Sequence, residues 1–475
     1  MRYTWSAVRD DWTRLYRGLV AQGVSRGASF GERSRRQESG ASRALLAPPR
    51  DHATPVPRAI RILLVAPSMG ILGGQAIQAE YLKIGLQGIE AFRVSLLPIN
   101  PSLPGPLKVL QKVKYIRTLL TTVVYICKLV VRVPRFDVIH VFSASYFSFL
   151  LSPTPAILLA VILGKKTILN YHSGEAEDHI GRWRWTASPV MKLADAIVVP
   201  SGYLVEVFRR FGLRASAVSN VVDTEMFGYR ERERLRPVFL SNRNLESLYN
   251  VGCILRAFGK IQERYPEGRL IVAGDGKQRG TLEAEARELG LRNVEFVGQV
   301  TPEVMSKLYR EADIYLNSSD IDNMPGSILE SFSSGLPVVT TDAGGIPYIV
   351  RDEETGLMVK RGDAEGLAGR AIRLLEEEGL ARRIIRNARE ECMRYTWSAV
   401  SSDWIRLYRS LASQRPAPSP FEAAQNSIRP VTLRSLGSKR AQNVSEDVTD
   451  PPADPAYLAP LPLESGTTQR ESRPH

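Results

Sequence analysis

The chain has 475 residues, 44% hydrophobic and 24% charged, which indicates a globular protein too long for one ordinary core. A net charge of +13 fits nucleic acid, an anionic membrane or phosphorylated substrates, but no zinc-finger spacing, aromatic RNP motif or basic zipper accompanies it, which argues against nucleic acid. Three scattered cysteines, outside any Cys/His cluster with metal-ligand spacing, argue against a disulfide framework and a metal site and favour a reducing cytosol.

Both ends of the chain are predicted to lie outside the folded part. Residues 20–57 and 412–475 are rich in small, polar and proline residues and have no apolar periodicity, which is typical of disordered segments. Residues 1–57 also lack the apolar core of a signal peptide, so we expect no secretory signal there.

One segment occurs twice. Residues 1–19 read MRYTWSAVRDDWTRLYRGL, and residues 393–411 read MRYTWSAVSSDWIRLYRSL. The later copy follows a long helical region, whereas the earlier copy has no such context and is expected to be at most a loosely attached helix. It is interpreted as the remnant of an upstream paralogue, as a misplaced start, or as a second copy that competes for the same docking groove.

Strands and helices are predicted to alternate from Arg58 onward. The run 60–66 is continuously apolar, as in a parallel strand covered on both faces, and a glycine turn containing Gly73 and Gly74 leads from it into a helix. These glycines would let a ligand approach the backbone at the helix start. Further strands are predicted at 94–97, 136–141, 166–171 and 194–199.

Two apolar stretches of this half have open interpretations. The helical pattern at 108–132 begins with several lysines, and it fits either a helix packed on the sheet or one lying on an anionic membrane surface. The uncharged run 141–163 is long enough to span a bilayer, but prolines and serines interrupt it, which favours a strand end, a loop and a helix.

The second half, from about Pro237, repeats the alternation. Strands are predicted at 270–274, 294–298, 314–317, 338–341 and 355–359, with helices at 282–289, 302–312 and 363–391. The sequence therefore predicts an α/β protein with two doubly wound Rossmann-like domains. In such folds ligands bind outside the carboxyl ends of the strands, which places His172 at a candidate site because it follows the strand 166–171.

A short loop and helix start at 322–330 carries the chemistry. Asp322 and Glu330 lie eight positions apart across a Pro-Gly turn. The amides of Gly326, Ser327 and Ile328 stand at the predicted helix start, where unpaired N–H groups favour an anion. This pattern suits binding of a nucleotide-sugar. The amides would hold its diphosphate, and the carboxylates would accept hydrogen bonds from its ribose and sugar hydroxyls. Alternatively, Ser327 and Glu330 form a capping box that serves the helix alone.

The run DNMPGSILESFSSGLPVVTTDAGGIPYIV, residues 322–350, resembles the donor-binding core of glycosyltransferase family 4, which consists of retaining enzymes with the GT-B fold. The resemblance extends over about residues 58–411. It departs from the family pattern at Asp322, where the family has glutamate. It implies an acceptor-side domain at 58–220, a donor-binding domain at 221–392 with the hinge near the junction, and a helix at 393–411 that crosses back to the first domain.

The resemblance also assigns roles within a cleft between the two domains. His172, Asp322 and Arg243 are expected to be catalytic. Arg243 would contact the leaving diphosphate, Asp322 would bind hydroxyls of the sugar, and His172 would lie near the reacting sugar. Donor binding is assigned to a second set of residues: Glu330, which takes the ribose, together with Gly326, Ser327, Ile328, Tyr249, Gly73 and Gly74. Tyr249 stands where the family has lysine, which removes one positive charge from the phosphate site.

The expected function is transfer of a sugar from a nucleotide-diphosphate-sugar to an acceptor hydroxyl, with retention, in glycan, glycolipid or polysaccharide synthesis. The partners would be this donor and a sugar or lipid-linked acceptor, with no metal, no cofactor and no nucleic acid. The expected location is the cytoplasm, with peripheral contact at the inner membrane face left open. Two alternatives remain: a nucleotide-sugar epimerase, and a non-catalytic nucleotide-sugar-binding protein.

Overall fold

The computed structural model describes residues 58–69, 73–101, 114–143 and 145–413. The strands are β1 Ile60–Ala66, β2 Phe92–Pro98, β3 Val138–Ser143, β4 Lys166–Tyr171, β5 Ala196–Val199, β6 Ser216–Ala217, β7 Val238–Ser241, β8 Arg269–Ala273, β9 Val294–Gly298, β10 Ile314–Asn317, β11 Val338–Thr341 and β12 Leu357–Val359. The helices are α1 Gly74–Gln87, α2 Lys114–Arg132, α3 Tyr146–Leu151, α4 Pro153–Ile162, α5 Ala176–Arg182, α6 Arg184–Lys192, α7 Gly202–Arg210, α8 Val251–Arg264, α9 Arg279–Glu288, α10 Pro302–Glu311, α11 Gly326–Ser334, α12 Ala364–Glu376, α13 Leu380–Cys392 and α14 Trp397–Ser413.

The strands form two six-stranded parallel sheets. The first has the order β2-β1-β3-β4-β5-β6, and the second has the order β12-β11-β10-β7-β8-β9. Apolar clusters cover both faces of each sheet, which explains the apolar runs in β1 and β8. The predicted α/β architecture of two doubly wound domains is confirmed. Residues 1–57 and 414–475, which contain the earlier repeat copy and nearly all of the segments expected to be disordered, lie outside the described residues, as do residues 108–113 of the predicted helix 108–132.

Helix α14 returns from the second domain to the first sheet. Its buried stripe of Val400, Trp404, Tyr408 and Leu411 packs with residues of β1, β3 and α1. The Tyr408 hydroxyl lies 2.6 Å from Nδ1 of His140. Because the chain enters α14 directly from the second domain, this helix connects the two domains through packing as well as through the backbone.

The junction between the domains is held by amide side chains. Gln78 of α1 donates to the carbonyl of Val221 at 2.8 Å and accepts from its N–H at 2.7 Å. Asn220 donates to the carbonyl of Met324 at 2.9 Å, and the Val222 N–H donates to the carbonyl of Tyr395 at 2.9 Å. The junction therefore contacts α1, the loop after β10 and the start of the crossing helix together.

The uncharged run 141–163 contributes the end of β3, as the sequence predicts, but it then forms two short helices, α3 and α4, in place of the one helix predicted. Pro153 begins the second of these helices. In the described part of the chain, no helix has both the length and the apolar character needed to cross a bilayer. The three cysteines carry free thiols, of which Cys253 and Cys392 are buried.

A buried arginine that the sequence analysis did not single out stabilises the second domain. Arg232 is 4% exposed and donates to the carbonyls of Ser334 and Gly335 at 2.8 and 3.0 Å. It also pairs with the fully buried Asp313 at 3.3 Å. Arg232 thereby satisfies carbonyls at the end of α11 and fixes that helix, whose first turn faces the site.

Burial of three histidines predicts a loss of stability in mild acid. Burial lowers the pKa of His140 to about 3 and those of His172 and His179 to about 4. Between about pH 6.5 and 4 the unfolded chain therefore binds protons that the folded chain does not, and stability falls as the pH falls. We expect a loss of up to about 2 kcal/mol per histidine between pH 7 and pH 5.

Urea unfolding at the two pH values measures this loss. His179→Phe should remove about a third of the pH dependence, since it removes one of the three groups. A free energy of unfolding that is constant from pH 7 to 5 would contradict the prediction.

Candidate active site

A cleft of about 1460 Å³ lies between the two sheets and is lined by residues of both. It collects the loops at the carboxyl ends of the parallel strands, where ligands bind in doubly wound folds. In the second sheet the strand order reverses between β7 and β10. Arg243 follows β7 and Asp322 follows β10, so the topology brings the two residues together at this switch point.

Arg243 is held from three sides. Its Nη2 donates to Oδ2 of Asp322 at 2.5 Å and its Nη1 to Oγ of Ser327 at 3.2 Å, while the guanidinium lies 4.1 Å from the centroid of the Tyr249 ring. Its buried Nε has no hydrogen-bond partner among the described residues. The Asp322 carboxylate raises the pKa of Arg243 against the opposing effect of burial, so the side chain remains a cation. The bonds to Asp322 and Ser327 use two of the five N–H donors of the guanidinium, and a fixed cation with donors to spare suits an oxyanion ligand.

Two glycines allow these loops to approach each other. A Cβ on Gly274, whose φ is +143°, would lie 2.1 Å from the carbonyl oxygen of Arg243. A Cβ on Gly344, whose φ is +52°, would lie 2.1 Å from the carbonyl oxygen of Asp322. Both positions require glycine for space and for backbone conformation. The glycine turn at 342–347 therefore supports the loop of Asp322, and a short 3₁₀ turn, Ile346–Tyr348, follows it.

The helix that carries the expected amide site is α11, which begins at Gly326. Gly326 and Ser327 line the cleft. Ile328 does not, because its side chain is fully buried in the core and its N–H donates to the carbonyl of Pro325 at 3.2 Å. Gly326 and Ser327 therefore remain the candidates for the amide site, while the Ile328 amide is used within the first turn.

Glu330 faces the cleft and does not cap its helix. Its Oε2 accepts a hydrogen bond from the Tyr309 hydroxyl at 2.8 Å. No side-chain cap is formed at the start of α11, where Pro325 occupies the N-cap position. The capping-box interpretation of Ser327 and Glu330 is therefore wrong. Burial raises the pKa of Glu330, and the hydrogen bond from Tyr309 partly offsets this rise.

His172 lines the cleft from the first domain, directly after β4. Its ring stacks on Phe142 with centroids 5.2 Å apart, and its buried Nε2 has no hydrogen-bond partner among the described residues. Burial lowers the pKa of His172 to about 4, so the imidazole is neutral at physiological pH. The ring can therefore offer one neutral donor or acceptor to a group bound in the cleft.

The remaining expected residues also line the cleft. Gly73 and Gly74 stand at the start of α1, and a Cβ at either position would meet no atom within 4 Å. They therefore leave open space for a ligand rather than relieving a contact within the protein. Tyr249 closes the opposite side through its stacking on Arg243.

Two residues of the site were not identified from the sequence. Asn242, immediately before Arg243, donates to the Tyr309 hydroxyl at 2.9 Å, and its buried Oδ1 has no partner among the described residues. The position of Asn242 directly after the buried strand β7 could have identified it from the sequence. Tyr309 lies in the middle of α10, where the sequence gives no indication of a role. Among the described residues, no group of three or more histidines, cysteines or carboxylates is placed to hold a metal ion.

Two family models match the chain, one on each domain. The model described as Glycosyltransferase Family 4 matches residues 85–226, and the model described as Glycosyl transferases group 1 matches residues 224–391. The two matches meet at the junction between the sheets and together include His172, Arg243, Asp322 and Glu330.

Characterised relatives match over part of their length. The sulfoquinovosyl transferase SQD2 of Arabidopsis thaliana is 28% identical over 300 residues, which is 58% of this chain and 57% of that protein. The phosphatidyl-myo-inositol mannosyltransferase of Mycolicibacterium smegmatis is 26% identical over 55% of this chain and 64% of its own length. The chain therefore spans somewhat more than half the length of these two relatives.

Solved structures share the two-sheet fold. HepE from Anabaena in complex with UDP-glucose is 17% identical, with a TM-score of 0.59 over 74% of this chain and 100% of that one. The sucrose-phosphate synthase of Thermosynechococcus elongatus is 19% identical, with a TM-score of 0.59 over 74% of this chain and 99% of that one. With a family model on each domain and the two-sheet architecture shared with these proteins, the chain belongs to glycosyltransferase family 4 and has the GT-B fold.

Proposed function

We propose that the protein transfers a sugar from a nucleotide-diphosphate-sugar to an acceptor hydroxyl, with retention of configuration. One observation carries the proposal: Arg243, Asp322, Glu330 and the start of α11 line one wall of a cleft whose other wall contains His172. The second domain would bind the donor, and the first would present the acceptor. HepE, which shares the fold, has been solved with UDP-glucose, which supports a donor of this class.

The groups around Arg243 suit a departing diphosphate. As the bond between the sugar carbon and the phosphate oxygen breaks, the electron pair and negative charge move to the phosphate. The Arg243 guanidinium, the Ser327 hydroxyl and the first amides of α11 would stabilise that charge. These groups supply positive potential from the chain itself, and we propose that the reaction needs no metal ion.

The carboxylates and the histidine would position the sugars. Glu330 would accept hydrogen bonds from the ribose and Asp322 from the transferred sugar. The acceptor oxygen would bond to the sugar carbon, and its proton would pass to the departing phosphate oxygen. His172 would contact the reacting sugar as a neutral ring, so it adds no positive charge beside a cation-like centre.

A second candidate is a protein that binds nucleotide-sugars without turning them over. Asp322 already occupies Nη2 of Arg243 at 2.5 Å, and Tyr249 stacks on that side chain where the family has lysine. Both features reduce the net positive charge available to a diphosphate. Assays with a panel of nucleotide-sugars separate the possibilities, since sugar transfer supports the enzyme, an isomerised donor an epimerase, and binding without turnover the second candidate.

We further propose a lipid-linked acceptor reached from an anionic membrane face. Helices α2, α3 and α4 expose apolar side chains on one side of the first domain, among them Leu119, Phe147 and Ile162 at 66%, 68% and 79% exposure. The Tyr125 hydroxyl ties α2 to the turn between α3 and α4 at 2.8 Å. Residues 114–166 contain a single acid, Asp137, which pairs with Arg61. An apolar face with excess positive charge suits an anionic bilayer surface.

Removal of the Glu330 carboxylate should weaken donor binding. We expect Glu330→Ala to raise the KM for the donor about 10–100-fold, because charge-assisted hydrogen bonds to the ribose are lost. Tyr309→Phe is the matched control, since it keeps the carboxylate, and should change KM by less than about fivefold. An unchanged donor KM in Glu330→Ala would show that this residue has no role in binding.

Neutralisation of Arg243 should slow the chemical step. We expect Arg243→Gln to lower kcat about 10²–10³-fold, because the leaving phosphate loses its nearest cation. Arg256→Gln, which removes an arginine from a surface ion pair with Glu285, should leave kcat unchanged. Steady-state kinetics with saturating donor measures both, and equal rates for the two variants would refute the assignment.

The apolar face should control membrane binding. The triple variant Leu119→Ser/Phe147→Ser/Ile162→Ser should lose most of its sedimentation with vesicles of phosphatidylglycerol and phosphatidylcholine, and salt should weaken binding of the parent protein. Leu289→Ser/Val304→Ser, which alters exposed apolar residues of the second domain, should sediment normally. Equal sedimentation of both variants would exclude this surface.

A further inference from the structure

The repeated segment at 1–19 keeps the residues by which its second copy binds the first domain. In α14 the residues buried on the sheet are Val400, Trp404, Tyr408 and Leu411. The corresponding residues of the earlier copy are Val8, Trp12, Tyr16 and Leu19, each identical. The four positions at which the copies differ correspond to Ser401, Ser402, Ile405 and Ser410, and none of these is fully buried.

The residue types that make the specific contacts of the groove are repeated as well. Tyr408 bonds to His140 at 2.6 Å, and the ring of Trp404 lies 5.1 Å from the same histidine. The ring of Trp397 packs so closely on Gly85 that a Cβ there would lie 2.3 Å from it. Tyr16, Trp12 and Trp5 occupy the equivalent positions of the earlier copy. A helix formed by residues 5–19 would therefore present the same apolar stripe, hydroxyl and indole to the same surface.

We propose that residues 1–19 are a second ligand of this groove, taking the place of α14 within the same molecule. The segment 20–57 is long enough for this, because a flexible chain of that length would span about 35 Å on average, comparable to the width of one domain. The two copies would not bind the groove equally tightly. Thr13 replaces the half-buried Ile405, and Gly18 replaces Ser410, which lowers apolar burial and helix propensity, so α14 holds the groove in the parent protein.

The two occupants have different consequences for the domains. Helix α14 enters the groove from the second domain through Tyr395, whose carbonyl accepts from the N–H of Val222 at the junction. It therefore ties the two domains across the cleft. Residues 1–19 would enter from the start of β1, within the first domain itself. The exchange keeps the groove filled while releasing the connection that limits movement of one domain against the other.

Amide hydrogen exchange, measured on the full-length chain, tests directly whether residues 1–19 can take the place of α14. Trp404→Ala removes the largest contact of α14, and we expect amides of residues 5–19 to exchange about tenfold more slowly in this variant than in the parent, while those of 397–413 exchange faster. In Trp12→Ala/Trp404→Ala the protection of 5–19 should disappear. Unchanged exchange of residues 5–19 between the parent and Trp404→Ala would overturn the proposal.

Thermal unfolding gives a second readout. Trp12→Ala alone should leave Tm within about 1 °C, Trp404→Ala should lower it, and the double variant should lower it at least about twice as far. Trp185→Ala, at a tryptophan that is 86% exposed, is the matched control. If Trp404→Ala prevents folding, Tyr408→Phe and Tyr16→Phe/Tyr408→Phe serve the same comparison. Identical Tm values for single and double variants, or a dimer by light scattering in Trp404→Ala, would refute occupancy within one molecule.

Discussion

The site depends on the rule that parallel strands end at one edge of their sheet. In the second sheet the order reverses between β7 and β10, so the loops after these two strands diverge and leave a crevice. Arg243 and Asp322 lie at its two sides and pair at 2.5 Å. Gly274 and Gly344 then allow the neighbouring loops to close behind them. The chemistry is thus positioned by topology first and by side-chain contacts second.

Within the cleft, the positive charge of Arg243 is partly neutralised by a neighbouring carboxylate. The positive charge of Arg243 is paired with Asp322 and covered by the Tyr249 ring, so the proposed phosphate site would depend on one guanidinium and on the helix start. A cation held in this way is well oriented, because its rotamer is fixed before a ligand arrives. The arrangement supplies less net positive charge than two flexible cations would, but its one cation is held in a fixed orientation.

The crossing helix reaches the cleft through a line of rings. Trp404 lies 5.1 Å from His140, His140 stacks on Phe142 at 5.1 Å, and Phe142 stacks on His172 at 5.2 Å. The helix that ties the domains together therefore also supports the ring that faces the site. Its apolar stripe is the part of the chain that the sequence repeats, which links the duplication to the geometry of the cleft.

The sequence by itself determined the α/β class and the two-domain organisation, and nine of the ten expected site residues, all except Ile328, line the cleft. Those features follow from apolar periodicity and from polar residues at strand ends, both of which are local. The tertiary structure decided which hydrogen-bonding groups remain available to a ligand. It placed the Ile328 amide within its own helical turn, turned Glu330 toward Tyr309 instead of the helix start, and added Asn242 and Tyr309 to the site. Hydrogen-bond partners distant in sequence set these outcomes, and a local pattern cannot specify such partners.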